Sequence, residues 1–230
     1  MKSILARGGI EFMAVLLGIS ASLWIENSRT ERELQTQLNQ SLKALKLSII
    51  EDKKAMERFT DNHKELISHF NFIQNEDSVK KSSNKRLKKA FEQTTIPRSI
   101  NLDYTIFRSM ESSGLIYKIQ DDQLRNKILK LYQSRYNSLI EIFDYDLENV
   151  KKMDDVIINN FILSKETVMW NLDYDNPSTR IDLIGNQIFQ NYMAGNKSTK
   201  IIMVSLIRNL TKHVDNLIGN LEKWESTYSR

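Results

Sequence analysis

The chain has 230 residues, 40% of them hydrophobic and 27% charged, with a net charge of +4. That is enough chain for one sizeable domain, and so mild a basic excess gives no ground for a nucleic-acid partner. Disulfides and thiolate metal sites are excluded because there is no cysteine, while two prolines and seven glycines predict long uninterrupted helices.

The first thirty residues differ from all that follow. Phe12 to Ile25 reads FMAVLLGISASLWI, with no charge. Lys2, Arg7 and Glu11 precede it, and Glu26, Arg29, Glu31, Arg32 and Glu33 follow at once. A membrane-spanning helix needs roughly 20 mostly apolar residues. The stretch from Ile4 to Ile25 reaches that length if Arg7 and Glu11, spaced i, i+4, pair near one face of the bilayer. Trp24 stands where an interfacial aromatic anchor is expected. Residues 1–27 are therefore read as a membrane anchor and 28–230 as a helical domain outside the bilayer. A cleaved signal peptide and a buried helix of a soluble protein are the competing readings. Lys2 and Arg7 before the span balance Arg29, Arg32 and Lys43 after it, and a short basic start favours a cytoplasmic N-terminus. The expected location is thus a bacterial inner membrane, crossed once, with the larger domain in the periplasm.

Within the anchor, Ala14, Gly18 and Ser22 recur at every fourth residue. Small residues at this spacing let helix backbones approach closely in lipid. Glu11 lies on the same side. Three readings stand: an ordinary spanning helix with an interfacial acid, a helix–helix contact bonded through Glu11, and an ion-carrying carboxylate of the kind found in stator subunits.

Beyond the anchor, positions 34, 38, 41, 45, 49, 52, 56, 59, 63, 66, 70 and 73 step by 4 and 3. Nine of these twelve are apolar, the exceptions being Ser41, Asp52 and His63. The pattern predicts one coiled-coil-like helix over 28–75 that continues from the anchor. Leu42, Leu47, Ile50, Ile67 and Phe72 widen its face towards that of a bundle helix. Residues 75–89 break the pattern and hold six basic residues between Lys80 and Lys89, read as a solvated linker and the first turns of a helix. A short helix is expected over Leu87–Gln93, ended by Pro97. Asn101 or Asp103 caps the next, which runs to Ser113 and stops at Gly114. Asp121 or Asp122 opens a long helix to about Leu163. A turn follows at Asn171–Ser178, then a helix from Thr179 to about Ala194, closed by Gly195 and Asn196. A final helix is capped by Ser198 and presents Ile202, Leu206, Leu210, Val214, Leu217, Leu221, Trp224 and Tyr228. The expected fold is all-α: a transmembrane helix continuing into an elongated antiparallel bundle.

Two stretches together resemble a known family. One is Gly9-Ile10-Glu11, an apolar run with Gly18-Ile19, and Trp24-Ile25-Glu26-Asn27. The other is Tyr104-Thr105-Ile106-Phe107 followed by SSGLIYKIQDDQLRNKILKLY, Ser112 to Tyr132. The pattern is similar to an uncharacterised family of bacterial single-span membrane proteins, a domain of unknown function. The resemblance implies an anchored helical domain facing the periplasm, and no activity.

The residues add no catalytic or cofactor motif. His63 and His69 are six apart and so lie on different helix faces, which rules out an i, i+4 metal pair. There is no HExxH, phosphate-cradling glycine loop or nucleophile elbow. Asp144, Asp146, Asp154, Asp155, Asp173 and Asp175 read as solvated faces or caps. The expectation is a non-enzymatic membrane-anchored scaffold or accessory subunit without metal or cofactor. Its partners would be the lipid bilayer and a second copy or another membrane protein. A sensory, ligand-binding domain is the alternative, and a pocket within the bundle would favour it. The stator-like subunit using Glu11 is the third possibility.

Overall fold

A computed structural model describes the backbone of residues 2–165 and 172–228, and within that the side chains other than those of 2–12, Ala14, Pro177 and Tyr228. Among the described residues it is all-helical, with one isolated antiparallel bridge between Leu163 and Leu172 and no strand. The first helix, α1 (Lys2–Ile73), runs unbroken for 72 residues, roughly 110 Å at the helical rise. No proline and no capping signal interrupts it, so nothing in the sequence ends it before the Gln74-Asn75 turn.

The chain then climbs and descends in four legs. The first leg is α1. A broken second leg descends through α2 (Glu76–Lys81), α3 (Asn84–Thr94), a strap over 95–104 and α4 (Thr105–Ser112). Lys89 beside Glu65 and the Asp103 amide on Asp52 fix its antiparallel sense against α1. Pro97 lies in the strap and keeps this leg from being one helix. Gly114, at φ +75°, makes the turn at the base, a backbone state that glycine enters without strain. The third leg rises through a 3₁₀ turn (Leu115–Lys118), α5 (Asp122–Lys130), a π-turn over Leu131–Arg135 and α6 (Tyr136–Asn160). Asp121 caps α5 by accepting from the Gln123 and Leu124 amides. After α7 (Pro177–Gly185), α8 (Gln187–Tyr228) descends the full height of the bundle. Lys53 meets Asp215 at 2.6 Å and Lys197 meets Gln74 at 3.1 Å, so α8 lies antiparallel to α1.

The seam along α1 turns inward as its spacing predicts, from Leu38 to Ile73, with Leu34 and Ser41 half-buried. Asp52 and His63, its polar members, are buried too. Leu47 does not widen the face; it points to solvent. Two apolar clusters result. The lower gathers Leu45, Ile49, Phe107, Tyr132, Tyr136, Val214 and their neighbours, and the upper gathers Phe70, Phe91, Met153, Phe189, Met193 and theirs.

Three expected boundaries move. The helix expected to reach Leu163 ends at Asn160 and contains the π-turn, which brings Leu131, Tyr132 and Tyr136 all into the core. No break occurs at Gly195-Asn196: α8 passes straight through, and the break falls at Asn186, whose side chain accepts from the Phe189 amide. Asn196 instead turns inward and packs on Met153. In the same helix Ile202 and Leu206 are exposed, and Met203 and Ile207 take the core positions. The basic run at 80–89 is solvated as expected. Lys80, Lys81, Lys88 and Lys89 pair with Glu76, Asp77, Glu92 and Glu65, and Arg86 lies over the Phe72 ring.

Candidate functional site: an apolar arm and a buried polar layer

The packed part of α1 begins at Leu38. Ahead of it, residues 26–37 form a largely exposed, charged stalk, and residues 13–25 form an apolar arm with no bundle beside it. Met13, Val15, Leu16, Leu17, Ile19, Leu23, Trp24 and Ile25 are all exposed, Trp24 by 71%. A Cβ placed on Gly18 would meet nothing within 4 Å. Ser22 is exposed as well, while the side chains of Glu11 and Ala14 lie outside the described residues. Among the described residues no helix is long and apolar enough to cross a membrane. The side chains of 2–12, which complete the apolar run, lie outside that description. Soluble monomers rarely expose a contiguous apolar surface of this extent, and where they do it marks a contact.

The second feature divides the two apolar clusters. At one level of the bundle, α1 contributes His63, α6 contributes Asp146 and α8 contributes Lys200. Asp146 and Lys200 form an ion pair in which both side chains are 0% exposed. The Oδ2 of Asp146 also accepts from the Arg98 backbone amide at 3.1 Å, which ties the strap to α6. Asp146 is therefore no solvated acid; it is the centre of the layer. Burial pushes the Lys200 ammonium down, against the pull of Asp146.

His63 is 3% exposed. Its Nδ1 donates to the Phe59 carbonyl at 2.8 Å, because a carbonyl can only accept. Nε2 is then left in the neutral ring as a bare acceptor, and no partner reaches it. Burial, with Lys200 and Arg98 nearby, lowers this imidazole to about 4 despite the opposing Phe59 carbonyl and Asp146 carboxylate. The Oδ1 of Asp146 and the Oδ1 of Asn196 are likewise buried without a donor. The layer thus carries surplus lone pairs.

Because the second leg is a strap at this level rather than a helix, the layer is not sealed. A cleft of about 440 Å³ opens between α1, α3 and the strap, lined by His63, His69, Lys89, Gln93, Arg98 and Ser99 among others. Arg98 is fixed at both ends: its backbone is held by Asp146, and its Nη2 donates to Gln93 Oε1 at 2.6 Å. Its Nε is buried and has no acceptor.

Lower in the bundle, Asp52 is buried without a cation. Its Oδ1 accepts from the Asp103 amide at 3.0 Å and its Oδ2 from the Tyr136 hydroxyl at 2.8 Å. Burial raises its carboxyl above the ordinary range, and those two donors oppose the rise. Tyr104, Tyr132 and Tyr136 pack edge-to-face beside it. Sequence spacing put Asp52 and His63 on the inward seam but assigned them no role. Asp146 reads in the sequence as a solvated face or cap, and Arg98 and Lys200 carry no signal there, since the pairing joins residues far apart in the chain.

Among the described residues no three His, Asp or Glu side chains are grouped to hold a metal. Set beside known protein families, curated proteins and solved structures, the chain matches none.

Proposed function

We propose that this protein is a non-enzymatic, membrane-anchored helical scaffold or accessory subunit, held by the N-terminal part of α1 and acting through contact with a second copy or another membrane protein. The observation that supports this reading most is the exposed apolar arm, continuous through a charged stalk with a well-packed bundle. An arm of about 20 residues is long enough for the hydrocarbon layer once the span from Ile4 is counted. Trp24 at its end and Glu26 immediately after suit the water interface. A rigid helical connection sets the bundle at a fixed distance from the bilayer, as a scaffold requires. This is also the arrangement implied by the family that the Gly9-Ile10-Glu11 and Ser112–Tyr132 stretches resemble.

In this reading Ala14, Gly18 and Ser22 form the contact between helices, with Glu11 bonded across it, in a bacterial inner membrane and with the bundle in the periplasm. The open space around Gly18 supports close approach by another backbone. Crosslinking of the tagged chain in native membranes tests it. Gly18→Leu should lower the yield of crosslinked assembly several-fold while leaving the melting of the bundle unchanged, because a Cβ at this position meets nothing within 4 Å and the bundle begins only at Leu38. Unchanged yield would remove this face from the proposal.

A further inference from the structure

Lower in the bundle, two adjoining hollows open between the third leg and α8. They measure about 280 and 220 Å³ and share Lys130 and Arg135. Lys127 from α5 and His213 from α8 line the smaller, and Ser134, Ser138 and Asn209 line the larger. All of these side chains are exposed or half-buried, so a solute in water reaches them. Arg135 belongs to the π-turn, an irregularity that recurs at functional sites.

The charges here are unbalanced. Elsewhere on the surface Lys53 has Asp215 beside it, Lys64 has Asp61 and Lys151 has Glu148. Among the described residues Lys127, Lys130 and Arg135 have no such partner, and no acid lines either hollow. Two acids close by in the chain are engaged elsewhere, Asp122 by Arg125 and Asp215 by Lys53. Burial lowers the His213 imidazole, and Arg135 and Lys130 lower it further with no acid opposing them. A concave surface lined by one sign of charge concentrates ions of the other sign.

We propose that the two hollows bind a soluble phosphomonoester, its phosphoryl group among Lys127, Lys130, Arg135 and His213 and its hydroxylated body beside Ser134, Ser138 and Asn209. Three fixed cations suit a dianion better than a single carboxylate. The Arg135 fork matches phosphoryl oxygens in pairs, and the two lysines add point charges. Leu206 and Leu210 give the larger hollow an apolar side for a carbon skeleton. Among the described residues no aromatic ring lines either hollow, so a nucleobase has no stacking surface there. The height of the site selects a soluble ligand over a lipid headgroup. Asp215, two residues beyond His213, meets Lys53, which lies about 40 Å along α1 from Ile25. With the arm in a bilayer, headgroups stay out of reach; that choice alone rests on the anchored reading.

Isothermal titration of the full chain in detergent micelles, with glucose 6-phosphate, inorganic phosphate and glucose as probes, tests the site. Glucose 6-phosphate should bind saturably and at least tenfold more tightly than inorganic phosphate, and glucose should not bind. Lys130→Gln, at an exposed side chain, and Arg135→Gln should each weaken glucose 6-phosphate at least tenfold. Lys151→Gln removes the same charge from α6 outside the hollows and should change its affinity less than about twofold. In histidine-labelled protein, glucose 6-phosphate should shift the His213 ring resonances and raise the pH at which that ring titrates. No saturable binding, affinity no better than that of inorganic phosphate, equal weakening by Lys151→Gln and Lys130→Gln, or an unmoved His213 ring would overturn the proposal. The source of the phosphate is tested in phosphatidylcholine nanodiscs, where adding phosphatidate should leave glucose 6-phosphate binding unchanged. Displacement by phosphatidate would make the ligand a headgroup and overturn its assignment as soluble. A chain that does not enter the discs contradicts the anchored reading alone, and the micelle titration still decides the site.

Discussion

Leu17 and Leu47 lie on the same helix and are equally exposed, 63% each, yet they stand in different surroundings. Leu47 is a single leucine on the charged outer face of the bundle, near Lys43, Lys46 and Glu51. Isolated exposed leucines are common on folded proteins and call for no cover. Leu17 sits among the exposed Met13, Val15, Leu16 and Ile19, with no described element packed against them. From Leu38 onward the same helix turns its apolar residues to one stripe and buries them. Helical continuity therefore does not define the domain. The direction in which apolar side chains find partners defines it, and one helix carries both an unpartnered apolar arm and a packed apolar stripe.

The largest difference between arm and bundle should appear when the polar layer is broken. Asp146→Ala leaves Lys200 buried without its partner, and loss of one member of such a pair costs about 3–5 kcal/mol. Urea unfolding of the bundle should show it, and replacing both members by leucine and methionine should recover most of the loss. Next, Leu45→Ala should cost about 2–5 kcal/mol, because Leu45 is wholly buried, whereas Leu17→Ala should change bundle stability by less than about 0.5 kcal/mol. Equal losses at the two sites would erase the distinction between them.

Acid sharpens it further. His63 has a folded-state value of about 4 against an ordinary 6.5, so the folded protein favours the neutral ring. Its contribution is complete above pH 6.5 and is lost as pH falls towards 4, on the order of 3 kcal/mol in all. His63→Phe should flatten that part of the stability–pH curve, and a slope unchanged by the substitution would show that other groups carry it. The smallest effect concerns Asp52. Asp52→Leu orphans the Asp103 amide and the Tyr136 hydroxyl and should cost about 1–3 kcal/mol, whereas Asp52→Asn keeps an acceptor for the Asp103 amide, offers its Nδ2 as a donor to the Tyr136 oxygen, and should cost less than Asp52→Leu. Thermal melts of the two variants compare them directly.

Much of the fold was legible because α1 obeys a strict 4-and-3 stepping. That stepping places Asp52 and His63 on the seam as its polar exceptions, and the structure buries both. The phase of α8 was harder to read. Ile201, Ile202, Met203, Val204, Leu206 and Ile207 are nearly continuous, so local spacing does not say which of them turn inward; packing against α1 and α6 chooses Met203 and Ile207. Gly195 and Asn196 look like a helix stop, and tertiary packing of Asn196 on Met153 overrides that propensity. The π-turn over Leu131–Arg135 leaves no mark on the residue pattern, because Leu131, Leu139 and Ile142 fit an ordinary helix as well. The cleft was unreadable for a different reason. It exists only where Pro97 interrupts the second leg and where residues 54 positions apart, Asp146 and Lys200, form a pair.

The absence of cysteine allows the central comparison to be measured without background. Single cysteines at Leu17 and Leu47, in the full chain in native membrane vesicles opened to maleimide on both faces, should react at very different rates. Leu47→Cys should label as a free surface thiol, and Leu17→Cys at least tenfold more slowly until detergent is added, as the proposed anchoring requires. Equal labelling of the two positions in intact membranes would mean that the arm is in water, and the anchored scaffold would be wrong.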